Sequence, residues 1–205
     1  FNFCIFICAI EYFRINNLNL LCLFLILTIG ISHGALDNIK GKKLFKFLKI
    51  KSISIFYIVY ILISLFVIFI WFLFPEFLLL FFLVVASYHF GKEDTDFIFK
   101  KKEVKKEMLY FLKGSIIITA PLLFHRYETI EVFKTLNFNI SESFIIENKF
   151  LYLFLIGSLL SNLYLTFKKD LNLISILIMD YFSILILNYF LNPILAFTIY
   201  FCFLH

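Results

Sequence analysis

Long apolar runs separated by short polar segments form the dominant pattern of this chain. The runs cover residues 1–10, 18–36, 52–74, 77–90, 108–124, 150–167, 171–191 and 193–205. Several of them reach the length of about 20 residues that an α-helix needs to cross a hydrocarbon core. The pattern predicts an all-α, polytopic membrane bundle of about seven to eight transmembrane helices, folded as a single integral membrane domain over residues 1–205.

The composition strengthens this prediction. Hydrophobic residues make up 62% of the 205 positions, and the mean hydropathy is +0.97. Soluble domains contain roughly 45–50% apolar residues, so a soluble globular protein is excluded as a class. The sequence opens on Phe1 rather than on a methionine and stops at His205 within an apolar run. We therefore expect a chain that is truncated at both ends.

The basic residues are distributed unevenly between the connecting segments. Six lysines lie in residues 37–51, six more in residues 91–107, and Lys168 and Lys169 in a third connection. Short loops rich in lysine and arginine face the cytoplasm in multi-pass proteins of the cell membrane. The rule predicts that these three loops are cytoplasmic. The positive charge is then a signal of topology, so the partner expected is the lipid bilayer and no nucleic-acid partner is expected.

This topology brings three of the four histidines to one depth. His33 lies 15 residues into its run, and His89 and His205 each lie 12 residues into theirs. At 1.5 Å per residue these positions are about 22, 18 and 18 Å from the outer surface, on helices that all run inward. His125 ends a helix that runs outward and therefore belongs to the opposite face. The pattern predicts a layer of three histidines near the cytoplasmic side.

Two interpretations of this layer remain open on the residues alone. Imidazole suits iron, zinc, copper and nickel, and a ligating histidine needs an acceptor for its other ring nitrogen. Asp37 follows His33 by four residues and Asp94 follows His89 by five, so both are candidates for that outer contact. The alternative is that each motif is simply a helix end, with glycine as the C-cap and the acids in a loop.

Four segments resemble the signature segments of the Brp/Blh family, the bacterial and archaeal β-carotene 15,15'-dioxygenases. In chain order they are "GISHGALDN", "ASYHFGKED", "APLLFH" and "NPILAFTIYFCFLH". The resemblance runs across almost the whole chain. It implies an integral membrane enzyme that cleaves β-carotene centrally with O2 to give two molecules of all-trans-retinal. A functional link to a microbial rhodopsin, which uses retinal as its chromophore, follows from the same resemblance.

The resemblance also implies a cofactor and its ligands. Ferrous iron, Fe(2+), would be held by His33, His89 and His205, with Asp37 and Asp94 in contact with the ligating rings. The family carries a C-terminal His-x-x-x-His pair, so a fourth ligand is expected four residues beyond His205. Four neutral imidazoles would leave two of six octahedral positions open. No acid or base is strictly required to add O2 to an alkene, and no Ser/His/Asp arrangement is present.

A membrane transporter or proton-relay protein is the rival from another class. Intramembrane ionisable residues mark such relays, and His33, His89 and Asp180 would be its members. For Asp180 we favour a structural role, as a buried acid hydrogen-bonded to neighbours such as Tyr181. Lys113 is expected to extend its side chain towards the membrane surface.

Overall fold

A computed structural model describes residues 18–34, 37–47, 53–95, 106–136, 147–166 and 171–205. Within these ranges the side chains of residues 32–34, 37–40, 53, 165–166 and 171–173 lie outside the description. The described residues contain nine α-helices and no strand. The helices are α1 (Leu18–Gly34), α2 (Asp37–Phe47), α3 (Ile53–Leu73), α4 (Pro75–Thr95), α5 (Lys106–Phe124), α6 (Arg126–Thr135), α7 (Asn148–Thr166), α8 (Leu171–Phe190) and α9 (Pro193–Ile199).

Three helices are long and apolar enough to cross a membrane, namely Ser54–Leu73, Pro75–Thr95 and Lys106–Phe124. Shorter apolar helices accompany them at Leu18–Ile31, Ile174–Phe190 and Pro193–Leu204. The prediction of an all-helical membrane bundle is confirmed. The number of crossings, the cytoplasmic side of the lysine-rich loops and the single domain stay predictions.

Two helices form in segments that the polarity pattern predicted as loops. α2 occupies most of the first lysine-rich connection, and Gly41 of this helix lies against the ring of Phe56. α6 begins directly after His125 in the connection between α5 and α7. Both helices are too polar to be recognised from apolar runs.

The backbones of α4 and α5 touch at two glycines. A Cβ atom on Gly91 would lie 1.8 Å from the carbonyl oxygen of Tyr110, and one on Gly114 would lie 1.9 Å from that of Ser87. No side chain fits at either position. Small residues that allow backbones to approach closely are typical of helix contacts in membranes, where apolar burial does not drive association.

α5 is the centre of the bundle, since α4, α7 and α8 all pack against it. Two serines of α7 donate hydrogen bonds to its backbone: Ser158 Oγ to the carbonyl of Lys113 at 3.1 Å, and Ser161 Oγ to that of Leu109 at 3.0 Å. The Tyr181 hydroxyl of α8 donates to the carbonyl of Leu155 in α7 at 3.1 Å. These bonds supplement an apolar core formed by Phe90, Ile116, Ile117, Ala120, Leu155, Tyr181, Ile184 and Tyr200.

The final segment turns at Asn192 and changes helix type near its end. The Asn192 side chain accepts a hydrogen bond from the Leu195 N–H at 2.9 Å and so caps α9, which Pro193 begins. Residues Tyr200–Leu204 continue as a π-helix, and the His205 N–H donates to the Tyr200 carbonyl at 2.9 Å. α1 packs against both parts of this segment, with Cys22 buried in the contact.

Candidate metal centre

Asp94 lies on a helix rather than in a loop. The apolar run of this region ends at residue 90, but α4 continues through Gly91 to Thr95. Interpreting Gly91 as a helix C-cap is therefore wrong. A glycine is needed at this position because the backbone of α5 lies too close for any side chain. The extension of α4 carries the carboxylate of Asp94 into the bundle, where 12% of the side chain is exposed.

The Asp94 carboxylate holds the ring of His205. The His205 Nδ1 atom lies 2.8 Å from Asp94 Oδ1, and the Tyr200 hydroxyl donates to Asp94 Oδ2 at 2.9 Å. His205 is almost fully buried, with 4% of its side chain exposed. Because a carboxylate only accepts hydrogen bonds, Nδ1 carries the proton and the lone pair of the neutral ring is on Nε2. A carboxylate that orients an imidazole in this way is typical of metal-ligating histidines.

The π-helical turn makes this double contact geometrically feasible. Tyr200 and His205 are five residues apart, which in an α-helix would place them about 140° apart around the axis. The i→i+5 hydrogen bond of the π-turn instead brings both side chains to the same carboxylate. Single π-turns within helices frequently occur at functional sites.

The ring of His89 lies next to that of His205. Their centroids are 6.1 Å apart and their planes are inclined by 61°. His89 is exposed at the surface of the bundle, whereas the side chain of His205 is almost inaccessible. The two rings are close enough to approach one ion, whose ligand nitrogens would lie about 2.0–2.1 Å from it. The two donors fit a metal that imidazole ligates, iron included.

The side chains of His33 and Asp37 lie outside the described residues. The backbone of His33 belongs to the last turn of α1, and α1 packs on the segment that ends in His205. Among the side chains that the structure describes, no three histidine, cysteine or acidic residues converge as a metal site. The three-histidine site and the role of Asp37 stay predictions.

A buried lysine adjoins the same carboxylate. Lys113 of α5 is 2% exposed; its ammonium donates a short hydrogen bond to Asp180 Oδ2 and lies 3.6 Å from Asp94 Oδ2. The expectation that Lys113 extends to the surface is wrong, because two carboxylates hold it inside. Asp180 bonds this lysine rather than Tyr181. A base and an acid that both occur within apolar runs are the signal that could have predicted the pair.

Two phenylalanine rings pack against the imidazole of His205. The ring of Phe90 meets its imidazole edge-on at a centroid distance of 5.0 Å, and the ring of Phe201 stacks on it at 6.3 Å. Phe197 in turn stacks on Phe201 at 5.7 Å. The His205 imidazole is thus hydrogen-bonded to Asp94, lies beside the ring of His89 and packs against the rings of Phe90 and Phe201.

His125 is remote from this centre. It follows Lys113 by 12 residues along α5, which corresponds to about 18 Å of helix. Its Nδ1 lies 3.4 Å from Glu128 Oε2, and its buried Nε2 has no hydrogen-bond partner among the described residues. The structure thus brings His89 and His205 together and leaves His125 at the other end of the bundle.

Comparison with known protein families identifies the chain. The model of the family described as beta-carotene 15,15'-dioxygenase matches residues 24–205. A search of curated proteins and a search of solved structures each returned no significant match. The matched range includes the paired histidines, Asp94 and the π-helical turn. The chain therefore belongs to the β-carotene 15,15'-dioxygenase family of carotenoid-cleaving enzymes.

Proposed function

We propose that this protein uses ferrous iron and O2 to cleave β-carotene at its central double bond and releases two molecules of all-trans-retinal. Membership of the family supports β-carotene dioxygenase activity in general. The observation that carries the finer proposal is the Asp94–His205 hydrogen bond of 2.8 Å beside the ring of His89. This arrangement places two histidines, which suit iron, beside a carboxylate that hydrogen-bonds the ring of one of them. Histidines that ligate a metal almost always have such a partner for their other ring nitrogen.

His205, His89 and His33 would hold the iron. Iron, when bound, would supply the reaction of O2 with the polyene, which no side chain of this chain can perform. The protein contributes orientation. Asp94 fixes the His205 ring, and the rings of Phe90 and Phe201 keep water from it.

The surroundings of the histidines suit a hydrocarbon substrate. β-Carotene dissolves in the lipid bilayer, so a site reached sideways from the membrane spares it a passage through water. His89 is exposed on a helix long and apolar enough to cross the membrane, whereas the side chain of the adjacent His205 is buried. We infer that the polyene approaches from the bilayer on the His89 side. A microbial rhodopsin would be the natural consumer of the retinal.

Expression of the protein in cells that make β-carotene tests the proposal. We expect the orange colour to bleach while retinal accumulates, and the purified protein to contain about one iron per chain. His33→Ala, His89→Ala and His205→Ala should each abolish retinal formation, because each removes a ligand. His125→Ala is the matched control and should retain most of it, since this ring lies about 18 Å of helix away.

Two outcomes would contradict the proposal in different ways. Persistent colour with iron-loaded protein would show that the substrate is not β-carotene. Equal loss of retinal from all four histidine variants would show that the layer of three histidines does not exist. Replacing Asp94 by Asn should leave some activity but weaken iron binding about 10–100-fold, which is the usual effect of losing an outer partner.

A further inference from the structure

The cluster around Asp94 contains more charge than the orientation of one histidine needs. Asp94 Oδ1 accepts from His205, while Oδ2 accepts from Tyr200 and faces the ammonium of Lys113. Lys113 is shared with a second carboxylate, Asp180, on a different helix. The four helical segments α4, α5, α8 and the π-turn thus meet through one chain of polar contacts.

The two contacts of Lys113 are unequal. Its ammonium donates a direct, short hydrogen bond to Asp180 Oδ2, whereas it is 3.6 Å from Asp94 Oδ2. A separation of 3.6 Å exceeds the usual range of 2.7–3.2 Å for an N–H···O hydrogen bond. Lys113 is thus hydrogen-bonded to Asp180 and only electrostatically paired with Asp94.

We propose that Asp180 and Lys113 are positioning residues for the metal centre: Asp180 holds the Lys113 ammonium back from Asp94, so that the Asp94 carboxylate keeps its strongest hydrogen bond for His205 Nδ1. This inference rests on the proposed function, because it deepens the role of the same site. An ammonium at full hydrogen-bonding distance would compete with the imidazole for the charge of Asp94. Held at 3.6 Å, it offsets part of that buried charge without taking over the carboxylate.

The proposal predicts how two variants change the hydrogen bond between His205 Nδ1 and Asp94. In Asp180→Asn the ammonium loses its nearer carboxylate and moves to Asp94, so the bond from His205 Nδ1 to Asp94 weakens. In the double variant Lys113→Met with Asp180→Asn no ammonium remains to compete, so that bond is kept. A purely structural role for the ion pair predicts the opposite order, with the double variant at least as impaired as Asp180→Asn.

Histidine NMR reads the hydrogen bond directly and needs no metal. The chain has four histidines, so ¹⁵N-histidine labelling gives few signals, and the signal of His205 is identified by its loss in His205→Ala. We expect the Nδ1 proton of His205 to resonate far downfield in the native protein and in the double variant. It should move upfield in Asp180→Asn. Asp180→Glu, which retains the carboxylate, should resemble the native protein.

Fe²⁺ binding under anaerobic conditions provides the second measurement. We expect the dissociation constant to rise about tenfold in Asp180→Asn, the lower end of the range for losing an outer contact, and to return to the native value in the double variant. Glu128→Gln, which also removes one acid but lies at the His125 end of the bundle, should leave both measurements unchanged.

The outcomes separate this inference from the proposed function. A native protein that binds no Fe²⁺, but in which Asp180→Asn still moves the His205 proton, would contradict the iron proposal and support the positioning role. An unmoved His205 proton in Asp180→Asn would overturn the positioning role. If Asp180→Asn does not fold, the double variant decides, because an upfield His205 proton in that variant would overturn the positioning role as well.

Discussion

α3 and α5 are both long and apolar enough to cross a membrane, yet they are opposite in character. α3 consists of apolar and hydroxyl-bearing residues without a charge, and none of its described side chains is buried. α5 contains Lys113, Gly114 and Ser115 in its middle, and all three are buried. In a bilayer the apolar helix can face the lipid, whereas the helix with small and polar residues must face protein. The less hydrophobic helix is therefore the structural centre of this protein.

The strongest test of this difference removes the charge from the centre of α5. Lys113→Met leaves the partly buried carboxylates of Asp180 and Asp94 without their buried cation, and removing one partner of a buried ion pair costs about 3–5 kcal/mol of unfolding free energy. Equilibrium unfolding in mixed micelles would measure it. Lys134→Met is the matched control, because Lys134 pairs with Glu131 while half exposed, and we expect a loss of about 0.2–1 kcal/mol. Equal losses would show that burial of Lys113 is unimportant.

A smaller effect is expected from filling the backbone contact between α4 and α5. Gly114→Ala places a methyl group against the Ser87 carbonyl, and the forced separation of the helices should cost about 1–3 kcal/mol. Gly30→Ala in α1 provides the control, because a Cβ atom there meets nothing within 4 Å. Alanine is the better helix former by about 0.8–1.0 kcal/mol, so this variant should be stabilised. Stabilisation of both variants would contradict the close contact.

The smallest effect is expected from removing one serine hydroxyl, either at a contact with α5 or within α3. Ser158→Ala removes a hydrogen bond from α7 to the Lys113 carbonyl of α5, and interhelical bonds of this kind average about 0.6 kcal/mol in membrane proteins. Ser64→Ala removes a hydrogen bond within α3, from the Ser64 hydroxyl to the Tyr60 carbonyl at 2.9 Å. This bond does not connect α3 to a second helix. We expect the unfolding free energy of this variant to stay within about 0.5 kcal/mol of the native value. A larger loss from Ser64→Ala would mean that α3 packs against protein.

The sequence was sufficient for the parts of the fold that depend on local hydrophobicity. The run 52–74 predicts α3 (Ile53–Leu73) closely, and the run 108–124 predicts most of α5. Helix direction and length were also enough to separate His125 from His89 and His205. Polar helices such as α2 were missed, since nothing in an apolar pattern distinguishes a polar helix from a loop.

The contacts of the site depend on packing and could not be predicted in the same way. Asp94 was expected near a ligating histidine because it follows His89 by five residues, but its bond is to His205, 111 residues further on. Lys113 and Asp180 are 67 residues apart, and each was considered separately. Charge complementarity indicates that such residues need partners, and only the arrangement of helices decides which partner each one obtains.

The π-turn couples the number of residues in the last helix to its winding. Several apolar side chains of Tyr200–Leu204 could be exchanged for others of similar size without moving the residues that follow. With the same number of residues, an ordinary α-helix would place His205 about 140° from Tyr200 around the axis, away from Asp94. Deleting one residue would remove the need for the wider turn, because side chains four residues apart lie about 40° apart on an α-helix. A natural variant with one residue fewer between this tyrosine and this histidine should therefore keep both side chains on one face with an ordinary α-helix in place of the π-turn.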